Sequence, residues 1–300
     1  MTMPNFLIIG AAKSGTGALY HYLGQHPQIY MSPLKEPMFF ALKDEKVDFS
    51  GPGDNKTINR KSVTNQSAYE LLFQDISNEK AFGEASTLYL YSPKAAERIQ
   101  YYLPEVRLIA ILRHPAERAY SAFMHLLREG REPLTDFAQA LRAEDVRRRN
   151  NWEPLWHYTQ VGFYYSQLKR YYDRFDRRQI KVYLYKDFNT HPLDVIKDIF
   201  RFLEVEETFI PDMSVRYNVS GITKNKVLHT FLTKKNPIRA ILKPFLPART
   251  RRRIRNNLMN RNLSKPPLSP AVRRQLIDIF REEILKLQEL IQRDLSEWLK

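Results

Sequence analysis

The chain has no cysteine among its 300 residues, which removes disulfide frameworks and thiolate metal sites and fits a reducing compartment. It has no uninterrupted apolar run of membrane-spanning length. An apolar stretch already begins at Phe6, leaving no room ahead of it for a signal peptide or an N-terminal anchor. A cytoplasmic protein is therefore expected. Acidic side chains are missing from a long region: Met213 to Ile277 holds no Asp or Glu but sixteen Lys or Arg. The net charge of +15 resides there, and the rest of the chain is close to neutral. Such a stretch is either an exposed basic face or a surface for an anionic partner, which can be a cofactor, an acceptor, a membrane or nucleic acid.

What is present is enough apolar material, 43% of residues, to bury a substantial core. Short apolar runs at Phe6 to Ile9, Gln28 to Tyr30, Ala81 to Gly83, Arg107 to Leu112 and Ile180 to Tyr185 read as strands. Helical patterns lie between them, at Gly17 to Gln25, Ser92 to Tyr102, Ala116 to Arg128, Tyr164 to Phe175 and Pro192 to Leu203. This alternation predicts an α/β fold, a mostly parallel sheet flanked by helices. Asp44 to Gln66, with Gly51-Pro52-Gly53, reads as an irregular excursion. Near the end, Ile238 to Leu246 interleaves apolar and basic residues as an interfacial helix does. A last helix is capped by Ser269, opened by Pro270 and given an apolar face by Val272, Leu276, Ile279, Phe280, Leu287 and Leu290 or Ile291.

Residues Phe6 to Leu19 read FLIIGAAKSGTGAL: a strand, a loop of small residues, and a helix start. Backbone N–H groups in such a loop can approach an anion, the helix N-terminus adds partial positive charge, and Lys13 supplies a full one. Lys13 precedes Gly15, whereas a Walker A loop places its lysine after the last glycine. In an open parallel sheet the strand C-termini share one edge, so residues following different strands converge. Lys13-Ser14, Lys35-Glu36, Glu84-Ala85-Ser86, Arg113-His114 and Lys186-Asp187 are thereby brought together. The fourth strand ends in Arg113, and no apolar run ending in a magnesium-binding aspartate stands out. Charge on a bound phosphate is then neutralised by Lys and Arg. Ser121, two turns into the helix after Arg113, can join it on one phosphate.

The segments GAAKSGTGAL, LKEPMFF, FGEASTLYLYSPKAAERI, LRHPAERAYSAF and YNVSGITK resemble successive motifs of sulfotransferases that use 3'-phosphoadenosine 5'-phosphosulfate (PAPS). They are most similar to the heparan sulfate sulfotransferase-like branch and its bacterial relatives. The resemblance spans nearly the whole chain. It implies one sulfotransferase domain over 1–300, with an α/β cofactor-binding core at 1–212 and a basic segment with a C-terminal helix at 213–300. It implies that Lys13 contacts the 5'-phosphosulfate and the departing bridge oxygen, while backbone amides from Ser14, Gly15, Thr16 and Gly17 to Ala18 hold the 5'-phosphate. Arg113 and Ser121 are implied at the 3'-phosphate, Lys224 and Lys226 in a loop closing over the cofactor, and Glu36 as the base. In-line sulfuryl transfer needs such a base and a cation at the leaving phosphate, and no metal is implied.

The chain also departs from the glucosamine 3-O-sulfotransferases. Ala85 stands where they carry lysine, Met38 where they carry histidine, and His114 where an acidic or amide residue is common. The resemblance thus implies the cofactor more firmly than the acceptor, which can be the hydroxyl, or less readily the amine, of an anionic glycan, a glycolipid or a small metabolite. Peripheral contact with an anionic membrane is compatible with the basic segment, and no specific nucleic acid is expected. A P-loop nucleotide or small-molecule kinase and a basic membrane-surface or nucleic-acid binder are the competing readings. Glu84 reads as structural, His114 as the alternative base, and the aromatic run Tyr158 to Tyr172 as core or helix surface rather than an adenine stack.

Overall fold

The computed structural model describes residues 2–214, 222–223, 263–264 and 266–300. In chain order the elements are β1 (Phe6–Gly10), α1 (Thr16–Leu23), β2 (Ile29–Met31), α2 (Phe39–Leu42), α3 (Ile58–Lys61), α4 (Gln66–Glu70), β3 (Ala81–Ala85), α5 (Leu88–Tyr91), α6 (Ala95–Tyr102) and β4 (Arg107–Leu112). There follow α7 (Pro115–Arg128), α8 (Phe137–Arg142), α9 (Glu144–Arg149), α10 (Tyr164–Tyr172), β5 (Ile180–Leu184), α11 (Tyr185–Thr190), α12 (Pro192–Phe202), β6 (Ile222–Thr223), β7 (Leu263–Ser264) and α13 (Pro270–Ile291). Five strands form a parallel sheet in the order β2-β3-β1-β4-β5, and β6 pairs antiparallel with β7. The chain leaves β1 toward one side of the sheet and later places β4 on the other. The C-terminal end of β1 is therefore where a parallel sheet opens a crevice.

Alternate residues of the strands feed two cores. Phe6, Ile8, Ile109 and Ile111 pack with Leu19, Leu23, Ile196, Ile199 and Phe200 from α1 and α12. Leu7, Ile9, Leu108, Ala110 and Leu112 pack on the opposite face with residues of α5, α6, α7, α10 and α13. Burial on both faces is what turns the strands into continuous apolar runs in the sequence. At the β1–β3 contact, Gly83 leaves no room for a side chain, because a Cβ there would lie 2.3 Å from the Phe6 carbonyl oxygen.

Several expected boundaries shift for local reasons. The third strand continues past Gly83, with Leu7 opposite Glu84 and Ile8 opposite Ala85, because backbone pairing with β1 persists beneath a buried carboxyl. Helix α6 begins at Ala95, beyond Pro93, since a residue preceding proline is turned away from helical geometry. Pro270 opens α13 as expected, but the Ser269 side chain makes no capping hydrogen bond. The buried stripe of α13 is Leu276, Ile277, Phe280, Ile284 and Leu287, whereas Ile279 is 42% exposed. Tyr158, Tyr164 and Tyr171 are core residues, as read from the sequence. The predicted interfacial helix at 238–246 lies outside the described residues.

Candidate functional site

The loop after β1 is anchored at both ends before it reaches α1. Ala11 donates its N–H to the Ile111 carbonyl at 2.9 Å, and the Gly15 carbonyl accepts from Ala18 and Leu19 at 2.9 and 3.1 Å. Gly15 sits at φ +96°, where a Cβ would come within 3.1 Å of the Phe188 ring and 3.2 Å of the Tyr185 ring. Glycine at this position therefore satisfies both the left-handed backbone and the close aromatic neighbours. Lys13 also has a positive φ, 67°. The amides opening α1, at Thr16 and Gly17, have no partner within the helix and line the adjoining cleft.

Arg113, at the end of β4, donates to the Lys13 carbonyl at 3.3 Å and lies 4.8 Å above the Tyr185 ring. Its guanidinium is 3.8 Å from Glu117. Ser121 follows on α7, buried at the cleft wall. Burial, reinforced by the positive charges of Arg128, Arg113 and Lys35 and opposed by Glu129, pulls the Lys13 ammonium from 10.5 down to about 7. Burial, and then Lys13, Arg128 and Arg131, also hold His125 far below the usual imidazole range. Arg128 donates to His125 Nδ1 at 2.9 Å, so the neutral ring carries its proton on Nε2, 3.2 Å from Glu129. The loop is thus a desolvated, net-positive hollow, the environment that an anion relieves.

Glu36 lines the same cleft from the segment after β2. Its backbone is left-handed, φ 64°, as is that of Met38, φ 59°. The end of β3 holds both residues: Glu36 N donates to the Ala85 carbonyl at 3.0 Å and Met38 N to Ser86 Oγ at 2.9 Å. The Glu36 carboxylate accepts from Lys35 Nζ on Oε1 at 2.7 Å and from the Thr87 N–H and hydroxyl on Oε2, both at 3.0 Å. Glu84 lies behind, fully buried, with Tyr69 donating to Oε1 at 3.2 Å. Burial, together with the Glu36 charge, raises the Glu84 carboxyl from 4.5 to about 7 against hydrogen bonds from Tyr89, Ser86 and Tyr69.

These groups meet in one cleft of about 910 Å³. Its other walls are Tyr22, Tyr185, Phe188 and Pro192 on the loop side, and Met38, Ile58, Lys61, Leu88, Tyr91, Glu153 and Leu155 on the Glu36 side. Ile58 and Lys61 of the latter wall come from the excursion expected at residues 44–66, which is fastened by one buried carboxylate. Asp54 accepts from Gly51 N and Glu153 N, each at 2.9 Å, and from Trp156 Nε1 at 3.2 Å, and it pairs with Arg131. Arg131 also pairs with Glu153, whose carboxyl burial lifts from 4.5 to about 7 despite that partner.

The structure therefore gathers Lys13, Gly15, Thr16, Gly17, Ala18, Glu36, Arg113 and Ser121 on one surface, with Ser14 buried just beneath. Lys224 and Lys226 lie outside the described residues. Glu84 is absent from the cleft wall, in keeping with a structural part. His114 does not line the cleft either: its Nδ1 accepts from Ala116 N at 3.2 Å as the cap of α7, its ring rests 5.9 Å from Trp298, and burial lowers it from 6.5 to about 4. The sequence reading missed Thr87, His125, Tyr185, Phe188 and Glu153. For Tyr185 a signal existed, since it immediately follows β5 at the same sheet edge. For Glu153 none did.

Residues 4–209 match the sequence model of the sulfotransferase family. The crystal structure of a sulfotransferase from Alicyclobacillus acidocaldarius is 35% identical, with a TM-score of 0.79 and 100% of each chain covered. The mouse bifunctional heparan sulfate N-deacetylase/N-sulfotransferase 1 is 30% identical over 219 residues, and that match takes in 68% of this chain but only 22% of the relative. Mouse sulfotransferase SULT7A1, crystallised with PAP, shares the fold at 14% identity and a TM-score of 0.53, with 100% and 91% of the two chains covered. The family match covers all five strands of the sheet that builds the cleft, and on it and the full-length structural likeness the chain belongs to the sulfotransferase family.

Proposed function

We propose that this chain is a PAPS-dependent sulfotransferase, one domain over its 300 residues, that acts in the cytoplasm on a hydroxyl of a carbohydrate, glycolipid or small metabolite. The observation that carries the reading is the meeting, in one cleft, of a desolvated cationic loop and a clamped carboxylate. The donor set fits a phosphate-bearing cofactor: Lys13, the amides of Gly15, Thr16 and Gly17, and Arg113 with Ser121 offer cations and N–H groups at two separate places, whereas the Ser14 and Ala18 amides already donate to the Ala11 and Gly15 carbonyls. PAPS, when bound, supplies a sulfuryl group on a phosphate leaving group. PAP in the SULT7A1 crystal supports that cofactor through the shared fold.

In this assignment Lys13 stabilises the negative charge that grows on the leaving bridge oxygen. Arg113 and Ser121 fix the second phosphate, so the reacting end is presented to Glu36. Glu36 takes the proton of the acceptor hydroxyl as its oxygen attacks sulfur. The apolar side chains Met38, Ile58, Leu88 and Leu155 beside Glu36 favour an acceptor with an apolar body next to its hydroxyl, such as a glycolipid or small metabolite. No described helix is long and apolar enough to cross a membrane. Peripheral membrane contact is assigned to the basic segment, most of which lies outside the described residues.

The test is calorimetric and radiochemical. PAP should bind and raise the melting temperature, whereas Mg-ATP should not; the reverse would favour the kinase reading. Lys13→Ala and Arg113→Ala should weaken PAP binding by at least about tenfold, the scale of one charge-assisted contact. Glu36→Ala should bind PAP as the parent does and lose about a hundredfold or more in transfer of labelled sulfate from PAPS into an extract of the source cell. Full activity in Glu36→Ala would sink the base assignment.

A further inference from the structure

Two left-handed, non-glycine residues within three positions are costly, about 1 to 3 kcal/mol each, and persist only when their surroundings over-determine them. Here Glu36 and Met38 adopt that geometry, and consecutive residues Ala85, Ser86 and Thr87 supply the restraint. Ala85 and Ser86 bind backbone. Thr87 differs: it spends both its N–H and its hydroxyl on the same side-chain oxygen, Glu36 Oε2.

A carboxylate oxygen has two lone pairs. Both on Oε2 are occupied by Thr87, while Oε1 accepts one hydrogen bond, from Lys35, and retains capacity for another. We infer that Thr87 is a positioning residue that divides the labour of the Glu36 carboxylate, holding Oε2 so that Oε1 is the atom that receives the acceptor's proton. The inference rests on the reading of Glu36 as base given above. The step balances as follows. The acceptor O–H bond breaks with its proton passing to Oε1, and the acceptor oxygen forms a bond to sulfur. The bond from sulfur to the phosphate bridge oxygen breaks, with its electron pair left on that oxygen beside Lys13. Lys35 shifts along Oε1 to admit the acceptor.

Thr87→Val keeps the shape and the N–H but deletes the hydroxyl, whereas Thr87→Ser keeps the hydroxyl and loses a methyl. The probes are PAP, for affinity, and labelled PAPS, for transfer into the source-cell extract and for slow release of inorganic sulfate to water. Thr87→Val is expected to lose about tenfold in kcat, the size of one hydrogen bond to a charged group, with PAP affinity and Tm unchanged within twofold and 2 °C. Thr87→Ser is expected within about twofold of the parent. Parental kcat in Thr87→Val overturns the inference. So does an equal loss in Thr87→Ser, or a loss that tracks PAP affinity or Tm, because each marks a structural part. A parent chain that neither binds PAP nor releases label would instead overturn the sulfotransferase assignment, before any variant is compared.

Discussion

Lys13 is an ammonium kept where an ammonium is disfavoured, and that has a measurable consequence for ligand binding. Free, it titrates near about 7 because of burial and the neighbouring cations. An anion in the loop favours the charged form, so at pH 8 binding must draw a proton from solution. Calorimetry of PAP binding in two buffers of different ionisation heat should register uptake of about half to one proton at pH 8. The affinity should fall as pH rises above about 7 and level off below it, where Lys13 is already protonated. Lys13→Arg should abolish the uptake, because guanidinium stays charged throughout. Glu84 gives a complementary case with the opposite charge. Its carboxyl titrates at about 7 in the fold and 4.5 when free, so between those values the native state holds more protons than the unfolded chain. Stability is therefore lost as pH rises through that window. Glu84→Gln removes the loss, and in urea its advantage over the parent should grow from pH 5 to pH 8 by on the order of 1 to 3 kcal/mol. An advantage that does not change with pH would show that Glu84 is ionised throughout.

At the scale of elements, the half of the cleft built on strand ends is legible in the sequence and the other half is not. Lys13, Arg113 and Glu36 each follow an apolar run, so strand recognition alone brings them to one edge. The third strand hid its true end, because Glu84 looks like a loop residue until it is seen fully buried in strand pairing, with Tyr69 donating to one of its oxygens. The Glu36-side wall depends on Asp54, whose partners Arg131 and Glu153 are 77 and 99 residues away and share no periodicity with it. No local pattern announces a long-range buried ion pair. Removing one member of such a cluster strands the rest, so Asp54→Ala should cost about 3 to 5 kcal/mol in urea denaturation. It should also reduce transfer more than PAP affinity, since Ile58 and Lys61 belong to the wall proposed above for the acceptor and not to the loop after β1. A cost below 1 kcal/mol would mean that the excursion is held by something other than this cluster.

Across the whole molecule, the sheet is covered on both faces, and α13 adds to the cover of one of them. Helix α13 packs on α10 and α7, and the turn beyond it sets Trp298 against His114, which follows Arg113 in sequence, and against Tyr164, which interacts with Arg113 in space. The far C-terminal region thereby buttresses the residue assigned to the second phosphate. The helix itself was legible from Pro270 and its apolar spacing. Which stripe it buries was not, because Ile277 and Ile279 are equally apolar and only the shape of the surface opposite decides between them. That shape is set at Gly162, where a Cβ would fall 2.7 Å from the Phe280 ring. Phe280 is fully buried and 5.4 Å from Phe163. Phe280→Ala should cost about 3 to 5 kcal/mol through the cavity left behind, and Gly162→Ala about 1 to 3 kcal/mol through overpacking. The two sites share one volume, so their effects cannot be independent. In Phe280→Leu, with a smaller side chain, the added methyl of Gly162→Ala should be better tolerated than in the parent, and a double-mutant cycle should return a favourable coupling of about 0.5 to 2 kcal/mol. Strict additivity would mean that α13 can slide to relieve the contact. In that event Phe280→Leu should also disturb PAP affinity, because a moving α13 carries Trp298 with it.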